Sequence, residues 1–375
     1  MSSNESVTFQ QNYNISVDGL IDNRTNQSDQ SFRLDQLNER YASTLLPFTI
    51  ILGFFGLIGI VGNILVFIVY GCGKQFKDKK FRVYVLTLAF IDLITCLTLI
   101  PAEMIKHLSY FNFTERALCK TKCFFNVFAA SSASFCLILI AIDRYIMTCH
   151  PLFFAKLQKY SSNLAARICI FALFLAVLTS VPSAVLCGIT KSKMVDFNGV
   201  DVDIYLCITE PYYTSTTIRY AYRVALCAAQ TGISITIIIL YARIGHAVKT
   251  VMKIKMTKEA ELVQLQELRH QCAKGLHLGH CQCKPCQPAI PSKIKLLFIV
   301  TLVFIVTYVF YMSLSWIDQT KLSTTEFFFF SIFFRLYFIH SIINPFLYIK
   351  MDRYFRNRCN EIMAQVSRCK RDDDW

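Results

Sequence analysis

The sequence predicts an all-α membrane protein: a seven-helix transmembrane bundle followed by a short amphipathic eighth helix on the cytoplasmic side. Three observations predict it. Seven apolar runs occupy Pro47–Tyr70, Val83–Ala102, Cys123–Ile142, Ile168–Thr190, Val224–Ala242, Leu296–Ile317 and Phe327–Ile349, each 19 to 24 residues long. Basic residues gather in alternating connections between the runs, and the N-glycosylation sequons fall on the opposite side. A helix needs about 20 residues to cross a hydrocarbon core of roughly 30 Å, and runs of this length suit helices rather than barrel strands. Composition agrees, at 54% hydrophobic with 32 Phe.

Charge sets the expected orientation. The segment 71–82 carries five bases and one acid, and 242–295 carries ten bases and three acids. Residues 1–46 carry six acids and three bases. Basic connections belong in the cytoplasm, so the N-terminus is expected outside and the C-terminus inside. The net charge of +14 therefore reads as this bias and not as nucleic-acid binding. The sequons at Asn4, Asn14, Asn23, Asn26 and Asn112 all lie on the side assigned to the exterior. Residues 1–45, rich in Asn, Ser, Gln and Asp, read as a disordered, glycosylated extracellular tail with no apolar signal-peptide core. Residues 46–350 form the membrane domain, with a long cytoplasmic loop at 243–293, and 351–375 form the amphipathic helix and a short tail.

Of sixteen cysteines, Cys119 opens run three and Cys207 lies in the loop 188–219, both on the oxidising side. One disulfide between them is expected. Cys123 and Cys187 are alternatives that read as membrane-embedded. No catalytic constellation, resident cofactor or metal site is predicted.

Within this frame lie Gly62-Asn63 in run one, Leu88-Ala89-Phe90-Ile91-Asp92 in run two, Asp143-Arg144-Tyr145 at the end of run three, Tyr241, Phe304 and Asn344-Pro345-Phe346-Leu347-Tyr348 in run seven. With Cys119 and Cys207, this order resembles the rhodopsin-like family of G-protein-coupled receptors over about residues 45–365. Residues 143–152 are most similar to its peptide-receptor branch. Departures are clear. Leu173 or a neighbour stands for the family's helix-four Trp, Ile233 for the helix-five Pro, Tyr308 for the helix-six Trp and Phe310 for the helix-six Pro. Without proline, helix six keeps its hydrogen-bond ladder there and loses the usual cause of a kink.

The resemblance implies roles. Asp143 and Arg144 would pair at rest and separate when a heterotrimeric G protein binds, with Tyr145 beside them. A plainer reading of Arg144 alone is an interfacial side chain reaching for lipid headgroups. Asp92 is costly in a bilayer and so reads as functional; Asn63, Ser341 and Asn344 are expected around it. The family holds a sodium ion there, although Ala133 and His340 stand in place of two of its usual polar partners. Pro345 would bend helix seven near Tyr348, and Tyr348 and Tyr241 would meet through water in the active state.

Arg335 lies nine residues before Asn344 and Glu103 eleven residues beyond Asp92, about 13 and 16 Å outward at 1.5 Å per residue. Counting puts both near the pocket mouth, where they pair or anchor a charged ligand group. Counting also places Asn126, Ala130, Gln230, Tyr308, Tyr311, Met312, Ser315, Phe334 and Phe338 around the pocket. Asn126 stands where amine receptors carry an Asp, and Phe338 where opsins carry the retinal-binding Lys, so neither class is expected. An extracellular peptide is the leading ligand. Asp201 and Asp203, on an expected hairpin ending at Cys207, and Glu210 just after it would steer a basic one.

On the cytoplasmic side, Lys249–Gln271 favours a helical extension of run five. Cys281, Cys283 and Cys286, near His277 and His280, suit a mobile reduced loop, lipidation or zinc. Residues 351–365 mix Tyr354, Phe355, Ile362 and Met363 with three arginines, as a helix lying on membrane lipid would. Cys359 and Cys369 are candidate palmitoylation sites. The expected function is a plasma-membrane receptor for a neuropeptide that activates a G protein. A receptor for a non-peptide or chemosensory ligand, a weakly coupled decoy, and a transporter or channel are the alternatives.

Overall fold

The computed structural model describes residues 3–71, 79–153, 162–196, 198–272 and 292–372, with side-chain surroundings for 28–71, 79–153, 163–196, 198–254, 257, 261 and 294–364. The helices are α1 (Ser3–Gly71), α2 (Lys79–Leu108), α3 (Arg116–Cys149), α4 (Ser162–Leu186), α5 (Thr217–Cys272), α6 (Ser292–Leu314), α7 (Thr324–Met351) and α8 (Arg353–Asp372). A hairpin, β1 (Ile189–Val195) and β2 (Asp201–Cys207), separates α4 from α5. Among the described residues, seven helices are long and apolar enough to cross a membrane. Their outward faces expose large apolar side chains such as Phe54, Leu57, Phe171, Phe174, Ile235 and Ile238. The buried polar residues Asn63, Asp92, Arg144 and Asn344 lie inward. That polarity, apolar outside and polar within, is what a bilayer selects.

Three boundaries differ from the apolar runs. α4 stops at Leu186 because Ile189 and Thr190 turn into β1, where Ile189 pairs with Cys207. α5 runs unbroken from Thr217 to Cys272, since no proline interrupts it. Residues 28–45 are helical rather than disordered. Leu34, Leu37, Tyr41 and Leu45 recur at helical spacing and bury one stripe against Tyr110, Phe111, Val202, Ile204, Leu206 and Phe327. The polar average of the tail conceals that stripe. The side chains of Asn4, Asn14, Asn23 and Asn26 lie outside the described ones, as do His270, Cys272, Cys369 and the whole of 273–291.

The hairpin roofs one end of the bundle. Tyr205 donates its N–H to Phe111 O (2.7 Å) and accepts from Phe113 N (3.1 Å), so β2 also holds the α2–α3 connection, next to Asn112. Its turn closes on Asp196, whose carboxylate accepts from Asn198 N (2.7 Å) and Val200 N (3.0 Å), with Gly199 at φ 79°. The Val200 N–H first, then that of Asn198 and the Arg33 guanidinium at 3.1 Å, draw the Asp196 pKa below its ordinary value against the opposing effect of burial.

Helix irregularities aim the side chains that matter. Within α2, Thr95–Leu99 is π-helical and Ile100 N–H donates to Thr95 O. This loosened turn precedes Pro101, which can supply no N–H to the ladder, and it resets the facing of Glu103, Lys106 and His107, all buried. Within α7, a 3₁₀ turn at Leu336–Phe338 follows Arg335. α6, by contrast, is continuous across Phe304–Phe310.

α1 meets α7 through Gly62, where an added Cβ would lie 2.8 Å from Pro345 Cγ. α8 is anchored by Asp352, which accepts from Tyr70 Oη (2.7 Å), Tyr354 N (2.8 Å) and Phe355 N (3.3 Å). Replacing Gly62 with Val should therefore cost about 1–3 kcal/mol of overpacking. The purified protein should unfold at a lower temperature and reach the membrane in smaller amount. Gly71→Ala, at a position with open space around it, should change neither.

Candidate functional site

Three polar clusters run through the bundle. At the end away from the hairpin, Arg144 is 2% exposed, with Nε 3.8 Å from Asp143 Oδ2. Its guanidinium lies 5.4 Å from the Phe81 ring centre, and Nη1 is 3.6 Å from Met147 Sδ. The burial sets it apart from an arginine extended toward headgroups. Tyr145 Oη is 3.3 Å from His150 Nε2. Tyr241 Oη accepts from Thr301 Oγ1 on α6 (3.5 Å), while Tyr348 packs edge-on against Tyr70 and tilted against Phe355. The two tyrosines thus have separate surroundings here.

Mid-bundle, Asn344 Nδ2 donates to Asp92 Oδ2 (2.7 Å) and His340 Nε2 lies 3.7 Å from Asp92 Oδ1. Ser341 Oγ is 3.1 Å from His340 Nε2. Asn63 joins this layer differently from the reading above: its Nδ2 donates to the carbonyls of Gly59 and Ser341, both at 2.9 Å, tying α1 to α7. Asn63 Oδ1, Asp92 Oδ1 and Asn344 Oδ1 are buried without a protein donor among the described residues. Water serves such acceptors well. For a sodium ion this layer lacks two of the family's polar partners: Ala133, buried in α3, offers no side-chain oxygen, and His340 turns a nitrogen toward the carboxylate, whereas hard cations need a shell of oxygens.

At the hairpin end a cavity of about 520 Å3 opens. Asn126, Ala130, Gln230, Tyr308, Tyr311, Met312, Ser315 and Phe334 line it, as counting along the helices places them. Asn126 Nδ2 donates to Tyr311 Oη (2.6 Å), and Gln230 Oε1 accepts from Ser134 Oγ (2.7 Å). Tyr308 stacks on Phe304 at 5.1 Å, and Phe304 meets His340 edge-on at 5.2 Å, so the cavity floor touches the Asp92 layer. Two expected lining residues are not among those that line it. Phe338 is 1% exposed against Tyr337, its ring turned away by the 3₁₀ turn. Arg335 lies behind Glu103, donating through Nε (3.0 Å) and lying 2.9 Å from Oε2 through Nη2, with Nη1 on Ser331 O (2.9 Å). Glu103 Oε1 also meets Lys122 Nζ at 2.7 Å.

Lys106, Lys122, Arg219 and Arg223 also line the cavity, and the sequence reading passed over them. They border apolar runs, where cations usually mark a membrane interface. Lys106, three residues beyond Glu103 on the same helix, was the available signal.

Two disulfides close the roof, where one was expected. Cys119–Cys207 joins α3 to β2, and Cys123–Cys187 joins α3 to the end of α4. Cys123 is one turn from Cys119 in α3, and Cys187 lies just past the last residue of α4, so both join the cluster of Cys119 and Cys207 at the hairpin end.

The chain matches the family described as 7 transmembrane receptor (rhodopsin family) over residues 62–348. It belongs to that receptor family. It is 31% identical over 129 residues to the alpha-1A adrenergic receptor of Homo sapiens, covering 34% of this chain and 27% of that one. It is 25% identical over 166 residues to the allatostatin-A receptor of Bombyx mori, 42% of each. It is 27% identical over 135 residues to the gonadotropin-releasing hormone II receptor of Clarias gariepinus, 36% of this chain and 34% of that one. The alignments therefore span less than half of these relatives. The protein is a multi-pass membrane protein of a receptor family.

Glu103 holds the buried Arg335 and the half-buried Lys122, so Glu103→Ala should cost about 3–5 kcal/mol and largely abolish surface expression, measured by cell-surface biotinylation. Exchanging sodium for choline at constant ionic strength should leave the thermal midpoint of the purified receptor unchanged; a clear drop would restore a sodium site at Asp92.

Proposed function

We propose that this chain is a plasma-membrane receptor with its N-terminus outside, which binds an extracellular peptide in the hairpin-end cavity and activates a heterotrimeric G protein at the Arg144 end. One observation carries the reading: a disulfide-roofed cavity and a buried Arg144 beside Asp143 occupy opposite ends of the same bundle. Between them, Tyr308, Phe304, His340 and Asp92 form a continuous chain of contacts. Occupying the cavity would shift Tyr308, and the packed column offers a route to α3 and α6. The released Arg144 could then extend to carbonyl groups of a partner.

The relatives support a peptide. Two are named for allatostatin and gonadotropin-releasing hormone. The adrenergic relatives would favour an amine, but Asn126 spends its amide on Tyr311 and carries no charge to pair with an ammonium ion. The cavity volume also falls in the range of small-molecule sites, and an olfactory receptor of Homo sapiens is 24% identical over 151 residues, so a non-peptide ligand is the second reading. We place glycans at Asn4, Asn14, Asn23, Asn26 and Asn112. Palmitate goes on Cys359, a half-buried free thiol whose pKa is raised by burial, or on Cys369. α8 would then lie along membrane lipid, as its alternating apolar and basic residues suit.

Cells carrying a promiscuous Gα, screened for calcium release against a neuropeptide library with amines as controls, test this reading. A peptide should evoke a response that Arg144→Ala reduces by at least roughly tenfold, about 1.4 kcal/mol, at equal surface expression. A full response from the Arg144→Ala receptor would remove the proposed switch.

A further inference from the structure

The hairpin-end cavity is rich in positive charge, and that excess says what its ligand carries. Four cationic side chains line it, Lys106, Lys122, Arg219 and Arg223, against two carboxylates, Glu103 and Asp318. Both carboxylates are engaged. Glu103, 3% exposed, is divided between Lys122 and Arg335. Asp318 accepts from Thr320 N (3.2 Å) and Thr320 Oγ1 (2.8 Å) and faces Lys321 at 3.8 Å.

Arg219 and Arg223 have no compensating acid among the described residues, and Lys106 shares only the field of Glu103, which is already engaged by Lys122 and Arg335. Lys106 is 8% exposed, sits in the fields of Lys122, Glu103 and Arg335, and has its Nζ 4.9 Å from the Tyr110 ring centre. Arg219 and Arg223 are half-buried, one turn apart on α5, with Arg223 4.4 Å over the Trp316 ring. Among the described residues no carboxylate lies within 4.0 Å of any of the three. Aromatic faces recover part of a cation's lost hydration, but far less than an anion does. Like charges gathered in a half-buried, largely apolar chamber are expensive unless something negative arrives.

Of the acids expected to attract a basic ligand, Asp203 is paired with Lys191 (2.7 Å) and Glu210 with Arg116 and Lys120, while Asp201 stands exposed at the start of β2.

Resting on the peptide-receptor reading, we infer that the cavity is an anion site and that the ligand inserts a carboxylate, from its C-terminus or from an Asp or Glu side chain, among Lys106, Lys122, Arg219 and Arg223. Asn126 Oδ1 and Gln230 Nε2, buried without a protein partner among the described residues, supply neutral hydrogen-bonding positions deeper in the chamber. The aromatic wall of Tyr311, Phe334 and Trp316 accommodates the apolar body that bears the acid.

The test is thermal unfolding of the purified full-length receptor in lipid nanodiscs with millimolar probes. N-acetylphenylalanine presents a peptide-type C-terminal carboxylate, and N-acetylglutamic acid α-amide presents a side-chain carboxylate. N-acetylphenylalanine amide and N-acetylglutamine amide are their neutral partners. One or both acids should raise the unfolding midpoint where the amides do not, and whichever acts identifies the source of the carboxylate. Lys106→Gln and Arg223→Gln, singly and together, relieve repulsion, so without ligand they should unfold at or above the wild-type midpoint. Their apparent affinity for the acid should fall roughly tenfold or more. Equal stabilisation by acid and amide, no shift with either acid, or undiminished acid binding in the variants would each overturn the anion site. Because the readout is binding and not signalling, loss of the anion site leaves the Arg144 test untouched. A failed Arg144 test, conversely, leaves acid binding to be judged alone.

Discussion

Hydrocarbon cannot solvate a peptide group, and everything in this protein is arranged around that fact. Each crossing must satisfy its own backbone, which fixes the crossings as helices and turns their apolar faces outward. Polar side chains are then left with the interior. Hydrophobic burial does little to hold such helices together within lipid, so close approach and buried hydrogen bonds matter more. Gly62 against Pro345, and Asn63 on the Ser341 carbonyl, join α1 to α7 by those means. Asn344 on Asp92 joins α7 to α2.

The polar interior is graded along the bundle. At the Arg144 end a buried guanidinium has a weak, 3.8 Å contact with its neighbouring carboxylate and an aromatic face beside it. The middle layer is tighter, with buried amide-to-carboxylate and amide-to-carbonyl bonds of 2.7 to 2.9 Å. The hairpin end concentrates charge, with Glu103 serving as the shared counter-ion of α2, α3 and α7 through Lys122 and Arg335. That triad braces the chamber and leaves the remaining lysine and arginines facing its space.

The departures from the family pattern acquire a physical meaning in this setting. Tyr308 stands where the family has Trp, stacks on Phe304 and reaches His340 through it. With Phe310 at that position α6 is unbroken, so motion of that helix has no proline hinge to use. Irregularity lies instead in α2, with its π turn before Pro101, and in α7, with its 3₁₀ turn after Arg335. These two deformations flank the charged chamber and set which side chains enter it. A shift there on ligand binding would act on the walls through α2 and α7 as well as through α6.

The sequence by itself determined the number of crossings, the pairing of Cys119 with Cys207, the Asp143–Arg144–Tyr145 and Asn344–Pro345 landmarks and most of the cavity wall. These follow from local length, composition and counting along straight helices. It did not reveal the helix at 28–45, because its burial depends on Tyr110, Val202 and Phe327 from three distant segments. Nor did it reveal the second disulfide, which requires the end of α4 to meet α3 at Cys123. Phe338 was placed at the right height but the wrong depth, because a 3₁₀ turn rotates what a regular helix would keep in phase, whereas Arg335 makes the pair with Glu103 that counting left as one of two readings. The excess of positive charge was equally hidden. Lys106, Lys122, Arg219 and Arg223 are separated by up to 117 positions in the chain, and only the folded bundle brings them to one cavity. Distance along the chain carries no information about which charges will share a dielectric; packing alone decides that.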